Sequence, residues 1–256
     1  MEDKNATMET YLSAPHLEHL HKNGIDETVA EHRPYYTIDD QIREYLMEDW
    51  GFPEEKVAPE GFVIHKWHLG AEEAPPQIRY DVSRVDNDGN ERKYDSVKDS
   101  GGVLDFHPLA AHLVDEVEIP LWVAESIKGA DALLSHRKLA VGFQGVWGWC
   151  QNGRPARAWS KIPLAGRQIY ICFDSDVHHR KDLRLALKRF TSYLRYEREA
   201  LVHIAKVPQP GLEKIGVDDH YGHFADAADA ADAVFQENFF TEQSYSPAVV
   251  AKLGGS

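Results

Sequence analysis

Asp174 and Asp176 stand one residue apart at the end of an apolar run, Ile169-Tyr-Ile-Cys-Phe-Asp-Ser-Asp-Val177. A strand buried on both faces reads as such a run. One that stops on two carboxylates delivers them to the carboxyl edge of an α/β sheet, where open sheets place their ligands. Glu125 closes a second run, Ile119-Pro-Leu-Trp-Val-Ala-Glu125, and the helical pattern Ser126-Ile-Lys-Gly-Ala-Asp-Ala-Leu-Leu134 follows it. A third acidic element, Lys214-Ile-Gly-Val-Asp-Asp-His-Tyr221, lies farther on. Mg²⁺ takes oxygen ligands at about 2.0–2.1 Å and fills its remaining positions with water and phosphate. Two parallel strands ending in acids could therefore converge on one ion, and the chemistry expected there is metal-assisted phosphoryl transfer.

These acids must be carried by an ordered sheet, and the chain is long enough for one. It has 256 residues, 43% hydrophobic and 27% charged, which is the composition of a globular protein with a real core. No apolar stretch approaches the roughly 20 residues that span a bilayer, and the start, Met-Glu-Asp-Lys-Asn, lacks a secretory layout. A soluble, cytoplasmic protein with no membrane partner is expected. Cys150 and Cys172 are the two cysteines, too few for a cysteine zinc ribbon, and Cys172 lies inside an apolar strand as a core thiol. The net charge of −14 excludes nucleic-acid binding over the whole surface, because backbone binding depends on Lys and Arg. Residues 178–199 are a local exception, with seven Lys or Arg against three Asp or Glu. Leu183, Leu187, Phe190 and Leu194 recur there at helical spacing, which would leave Arg180, Lys181 and Arg184 on the exposed faces, where the plain reading is a solvated helix.

Along the chain, residues 10–33 read as a helical hairpin with Ser13 as cap and a turn at Asn23-Gly24. Residues 60–107 read as β-rich, with runs at 61–67, 77–82 and 92–94 and a turn at Asp88-Gly89. From Ile119 the order is strand, helix, strand, a Gly- and Trp-rich loop, strand, helix and strand, which implies a mainly parallel sheet flanked by helices. The expected organisation is an α/β core over 116–224, a smaller mixed α+β module over 1–115, and an acidic helical tail over 225–256 that sets Asp226, Asp229 and Asp232 on one face.

Taken in the order Glu, Asp-x-Asp, Lys-x-x-x-Asp-Asp, the chain resembles the Toprim family, and in particular the Toprim-like domain of phage and plasmid primase and primase-helicase proteins. The resemblance extends to Trp122-Val-Ala-Glu-Ser-Ile-Lys-Gly-Ala-Asp, Gly145-Val-Trp-Gly-Trp149, His16-Leu-Glu-His-Leu-His-Lys-Asn-Gly-Ile25 and Lys93-Tyr-Asp-Ser with Leu104-Asp-Phe-His-Pro108, most of residues 12–224. It implies a Toprim-like fold and primase-type nucleotidyl transfer on DNA, single-stranded for preference, with nucleotides as substrates and a replicative helicase as a separate chain. Glu125 would be general acid/base or metal ligand, and Asp174 and Asp176 would hold Mg²⁺, with Mn²⁺ as a possible replacement. Asp218, or Asp219 in its place, would support a second ion or orient the first. Lys128, Lys214, Arg180, Lys181 and Arg184 are the cations placed to meet phosphate oxygens or the nucleic-acid backbone.

The departures from that family are specific. Ser126 stands where Toprim primases usually have glycine, Gly129 where classical primases carry the next acid, and Asp131 two residues further on points elsewhere on the helix. No Walker-type phosphate loop and no zinc module is encoded. A nuclease would use the same carboxylates to activate water, and a non-catalytic accessory would bind DNA or a replication protein through residues 178–199 and the tail. A haloacid-dehalogenase phosphatase would need Thr or Val at His178, and a sugar-nucleotide transferase or a simple helix cap at Asp174 are further rivals. Trp147, Trp149 and Trp159 could stack bases, although core packing is the more ordinary use of tryptophan.

Overall fold

The computed structural model describes residues 12–69, 73–86, 88–97, 103–208 and 213–223, with the backbone of Phe239–Phe240. The acidic-tail residues Asp226, Asp229 and Asp232 and the Pro210-Gly211 turn lie outside the described residues.

The amino-terminal part begins with α1 (Ala14–Lys22) and α2 (Glu27–His32), the expected hairpin. Asp26 caps α2 by accepting from the Val29 amide, but Ser13 makes no side-chain cap on α1; its amide donates to Thr37 Oγ1 instead, and a proline in the first turn starts the helix. Next come β1 (Tyr35–Thr37), α3 (Asp40–Glu48) and α4 (Glu54–Val57). The β-rich stretch then forms β2 (Gly61–Trp67), β3 (Glu73–Val85) and β4 (Glu91–Ser96), and β1 to β4 make one antiparallel sheet in sequence order. Along β3, Ala74, Ile78 and Tyr80 alternate with half-buried Gln77 and Arg79, the pattern of a strand with one face on the core.

The second sheet is built from β5 (Asp105–Phe106), β6 (Leu121–Ala124), β7 (Ala140–Gly142), β10 (Gln168–Cys172), β11 (Leu201–Ala205) and β12 (Phe239–Phe240). β8 (Cys150–Gln151) and β9 (Arg154–Pro155) form a separate hairpin between β7 and β10. The strand order is β12-β11-β10-β6-β7-β5: the four central strands run parallel, and β5 and β12 close the edges antiparallel. The helices are α5 (Ile127–Ser135) after β6, α6 (Lys181–Ser192) after β10 and α7 (Val217–His223) after β11. The fold is thus the mixed α/β architecture expected, with a mainly parallel sheet. One assignment changes. Asp105–Phe106, read within the amino-terminal β-rich stretch, pairs with Val141–Gly142 and so extends the parallel sheet. Among the described residues no helix is long and apolar enough to cross a membrane.

Two cores flank the parallel sheet. Leu121, Val123, Ile169, Ile171, Val202 and Ile204 face one, against Trp149, Trp159 and the buried side of α6, Ala186, Leu187 and Phe190. The other face carries Trp122, Ala124, Ala140 and Cys172, which pack with α5 and α7 and also with Leu20, Val29, Tyr35, Phe62 and Ile64 of the amino-terminal part. Cys172 is fully buried, the core thiol expected.

Across this second core lies a buried ionic knot. Arg33, Asp105 and Asp131 have no exposed surface. The Arg33 guanidinium donates to Asp105 Oδ2 at 2.6 Å, to Asp131 Oδ1 at 2.9 Å and to the His65 carbonyl at 2.7 Å, and the Tyr35 hydroxyl donates to Asp131 Oδ2 at 2.5 Å. Asp105 also accepts from the Trp67 amide. Burial pushes the Asp131 carboxyl upward, and the adjacent guanidinium opposes it. Arg33→Met leaves two buried carboxylates without a counter-charge, so its unfolding free energy in denaturant titration is expected to fall by about 3–5 kcal/mol. A loss below about 1 kcal/mol would show the knot to be dispensable.

Candidate functional site

The sheet register sets the site. Cys172 pairs with Ala124 and Ala124 with Gly142, so Glu125, Phe173-Asp174 and Phe143-Gln144 leave the sheet together at its carboxyl edge. They open into a cleft of about 510 Å³, whose far wall is Gln77, Arg79, Lys93 and Tyr94 of the antiparallel sheet together with His19 and Asn23 of the first helix and its turn. Lys128, Lys214, Gly216, Asp218 and Asp219 complete it.

The contacts bring the expected acids together. Lys214 Nζ lies 2.6 Å from Asp174 Oδ2 and 3.1 Å from Glu125 Oε1, so one ammonium is shared by carboxylates from two adjacent strands. Glu125 Oε2 also accepts from the Asp174 amide at 3.4 Å. Burial, and then the charge of Glu125 beside it, holds the Asp174 carboxyl well above the usual carboxylate range, with Lys214 pulling the other way. Burial works against the Lys214 charge, but Asp174 and Glu125 outweigh it and raise the ammonium above the ordinary lysine value.

Segment 213–216 is held in place by Ser175. Its amide donates to the Ile215 carbonyl and its hydroxyl accepts from the Ile215 amide, both at 2.9 Å. This clasp brings Gly216 to the carboxylates. A Cβ at Gly216 would meet Asp218 Oδ1 at 2.5 Å, Asp174 Oδ1 at 3.3 Å and Asp219 Oδ2 at 3.5 Å, so glycine leaves the space on which three carboxylate oxygens converge. The neighbouring acids then divide. Asp219 Oδ2 accepts from the Gly216 amide at 2.9 Å and so fastens the start of α7, while Asp218 Oδ2 faces Lys128 Nζ at 3.2 Å.

Lys128 is therefore not an open phosphate contact. Its side chain is almost wholly buried between Asp218, Asn23 and His19, with Nζ 3.3 Å from His19 Nε2. Desolvation first, and then the charge of Lys128, lowers the His19 pKa to about 4, which leaves a neutral imidazole to accept from the ammonium. Asp176, Arg180, Lys181 and Arg184 do not line the cleft. Asp176 sits on the short turn Ser175–His178, with Oδ1 buried and without a hydrogen-bond partner and Oδ2 3.8 Å from Arg180. Arg180 is exposed and paired with Asp182 at 2.7 Å, and Lys181 and Arg184 lie on the outer side of α6. Asp174 opens that turn without capping it through its side chain, so the helix-cap reading does not describe it. Trp149 and Trp159 are core residues, whereas Trp147 is 38% exposed. Among the described residues no three His, Cys, Asp or Glu side chains are gathered into a ready-made metal cluster.

This architecture has counterparts among solved structures. The Aquifex aeolicus primase, in its zinc-binding and RNA polymerase domains, superposes with a TM-score of 0.57 at 15% identity over 89% of this chain and 57% of that one. The RNA polymerase domain of Mycobacterium tuberculosis primase DnaG, solved with a double-stranded DNA oligomer bearing a 6-nucleotide overhang, gives 0.56 at 17% identity over 89% and 74%. A DnaG primase catalytic domain bound to single-stranded DNA gives 0.54 at 15% over 86% and 70%. The fold is that of primase catalytic cores. The chain spans little more than half of the Aquifex protein's chain, and at these identities the likeness is one of fold. A family model described as a domain of unknown function, DUF3854, matches residues 111–223, and no curated protein matches the sequence.

Arg79, Gln77 and Gln144 were not legible as site residues, because they come from remote elements with no local signal. Lys93-Tyr94 belongs to one of the resembling blocks and lines the far wall. Because Asp174 binds its proton more tightly folded than unfolded, its charge destabilises the fold as pH rises above the unfolded value, and it has no such effect where the carboxyl is protonated in both states. Asp174→Asn is accordingly expected to raise Tm at pH 7 and to lose this advantage as pH falls toward 4. Calorimetry across that pH range checks it; a lower Tm at pH 7 would contradict the electrostatic account.

Proposed function

We propose that the chain is a primase-type nucleotidyltransferase acting on DNA in a phage- or plasmid-like replication setting, with Mg²⁺, or Mn²⁺ in its place, held by Glu125, Asp174 and Asp218. The observation that carries this reading is the grip of Glu125 and Asp174 on one cation at the carboxyl edge of adjacent parallel strands. The primase-core fold supports it, and the replication setting rests on the resembling sequence blocks. The residues suit a hard divalent ion: every donor is a carboxylate oxygen, and the space at Gly216, on which Asp174 and Asp218 converge, admits no side chain.

When bound, the ion supplies charge neutralisation at the attacked phosphorus and acidifies the attacking oxygen. The protein groups supply position. In primer synthesis a 3′ oxygen forms its bond to the α-phosphorus of a nucleotide as the bond to pyrophosphate breaks, and Glu125 is the carboxylate assigned to the hydroxyl proton. Arg79 and Lys93 on the far wall are placed for the triphosphate, and half-exposed Lys214 can turn from the carboxylates to a substrate phosphate. Lys128 holds Asp218 in place.

Purified protein with single-stranded template, labelled nucleotides and Mg²⁺ or Mn²⁺ is expected to make new oligonucleotides, and Asp174→Asn or Glu125→Gln to reduce them at least about 100-fold. A shortened template would instead identify a nuclease. Neither product, with DNA binding unaffected by Asp174→Asn, would identify an accessory protein. Metal loading offers a second test. Lys214 neutralises the very oxygens an ion would take, and a unit charge this close shifts such equilibria by roughly 10- to 1000-fold. Lys214→Met is expected to bind Mn²⁺ at least about tenfold more tightly than wild type by calorimetric or spin-resonance titration, and equal or weaker binding would remove Lys214 from the ion's position.

A further inference from the structure

A second concavity of about 830 Å³ lies between the β8–β9 hairpin, the short helical turn Arg157–Lys161 and the segment at His68-Leu69. Arg154, Arg157 and Lys161 line it with His68, Gln151 and Asn152. Among the described residues no carboxylate lines it, and none makes an ion pair with the three basic side chains. Three cations gathered on one hollow of a chain of net charge −14 are a local reversal of field.

The scaffold beneath them is firm. The hairpin turns on Asn152-Gly153, both at positive φ, 51° and 74°, as a two-residue turn requires. Fully buried Trp159 anchors the helical turn through Nε1, which donates to the Trp149 carbonyl at 3.0 Å, and the Arg198 guanidinium donates to the Trp159 and Ile162 carbonyls. The hairpin and turn continue from the loop that starts in the carboxylate cleft: Phe143, Gln144 and Gly145 line the cleft, and Gln151 to Lys161 line the hollow. Between them in sequence is exposed Trp147, stacked against Trp149 with the Arg189 guanidinium 5.8 Å from its ring.

We propose that this hollow is a phosphodiester-binding site for a single nucleic-acid strand whose reacting part lies in the carboxylate cleft, with Trp147 as a stacking surface along the way. The inference rests on the nucleic-acid reading of the cleft. A strand fits better than a free nucleotide because the carboxylate cleft already has its own cations for one triphosphate, while the described lining of the hollow is cations and side-chain amides. Phosphate contacts give affinity without sequence preference, and a single strand loses about 0.7 in the slope of log K against log salt for each contact removed.

The test measures anisotropy of a labelled 25-nucleotide single strand over a salt series for wild type and Arg154→Ala/Arg157→Ala. The double variant is expected to bind roughly 10-fold or more weakly at moderate salt, with a slope shallower by about 1.4, and to keep wild-type Tm and wild-type Mn²⁺ binding. Unchanged affinity and slope would overturn the assignment while leaving the cleft reading intact. Displacement of the strand by pyrophosphate at stoichiometric concentration would also overturn it, in favour of a small-anion site. If wild type binds no strand and makes no product, the cleft reading and the hollow fall together.

Discussion

The arrangement of the cleft depends on the buried contact between Arg33 and two carboxylates from different parts of the chain. Arg33 follows α2, Asp105 lies on the edge strand of the parallel sheet, and Asp131 lies on the helix that begins just after Glu125. A guanidinium with fixed donor directions accepts only one mutual placement of those elements. Replacing such a knot by apolar groups can be neutral for stability, so its value is in geometry. Here it sets the amino-terminal sheet and hairpin against α5, and so sets Arg79, Lys93, His19 and Asn23 opposite Glu125 and Lys128. The cleft is the space between two bodies that this contact holds in register.

Within the cleft the charges are arranged in opposed pairs. Glu125 and Asp174 share Lys214, and Asp218 faces Lys128. Burial and the adjacent Glu125 keep Asp174 raised even with Lys214 beside it. The two ammonium groups differ in freedom. Lys128 is locked by Asn23 and His19 at the base of the first helix, whereas Lys214 is half exposed at the end of a clasp made by Ser175. Lys128 is buried among fixed partners, and Lys214 stands at the open side of the cleft.

Much of this architecture could be read from sequence. The runs ending at Glu125 and Asp174 were legible because a central parallel strand is apolar on both faces, and a carboxylate at its end breaks that pattern sharply. The strands around 61–67, 77–82 and 92–94 were legible as β-rich runs with a turn at Asp88-Gly89, whereas the short β1 was not. Less visible were pairings that depend on remote partners. Asp105–Phe106 is only two residues long, and its place in the core sheet is set by Val141–Gly142. Arg33 sits in Glu31-His-Arg-Pro34, which reads like a surface segment, and nothing local discloses that its partners lie 72 and 98 residues away. Lys128 shows the same limit: helical spacing placed it one turn from Glu125, but its direction was decided by Asp218.

The departures around Glu125 have a packing explanation. Ser126 Oγ accepts from the Gly129 amide at 2.9 Å and caps α5, the task a small polar residue performs at a helix start. A Cβ at Gly129 would stand 2.8 Å from both Ser126 Oγ and Val217 Cγ1, so an acid placed there could not be accommodated without moving α7. The serine and the glycine therefore belong together, and α7 packs into the room they leave. That packing brings the first turn of α7 to the cleft, and with it Asp218, whose carboxylate reaches the space beside Gly216 that Asp174 also faces. On the proposed reading, the oxygen missing from α5 is supplied from α7 across the cleft. The acid set then depends on the 214–219 segment being clasped by Ser175, which couples Asp218, Lys214 and the Asp174 loop into one unit.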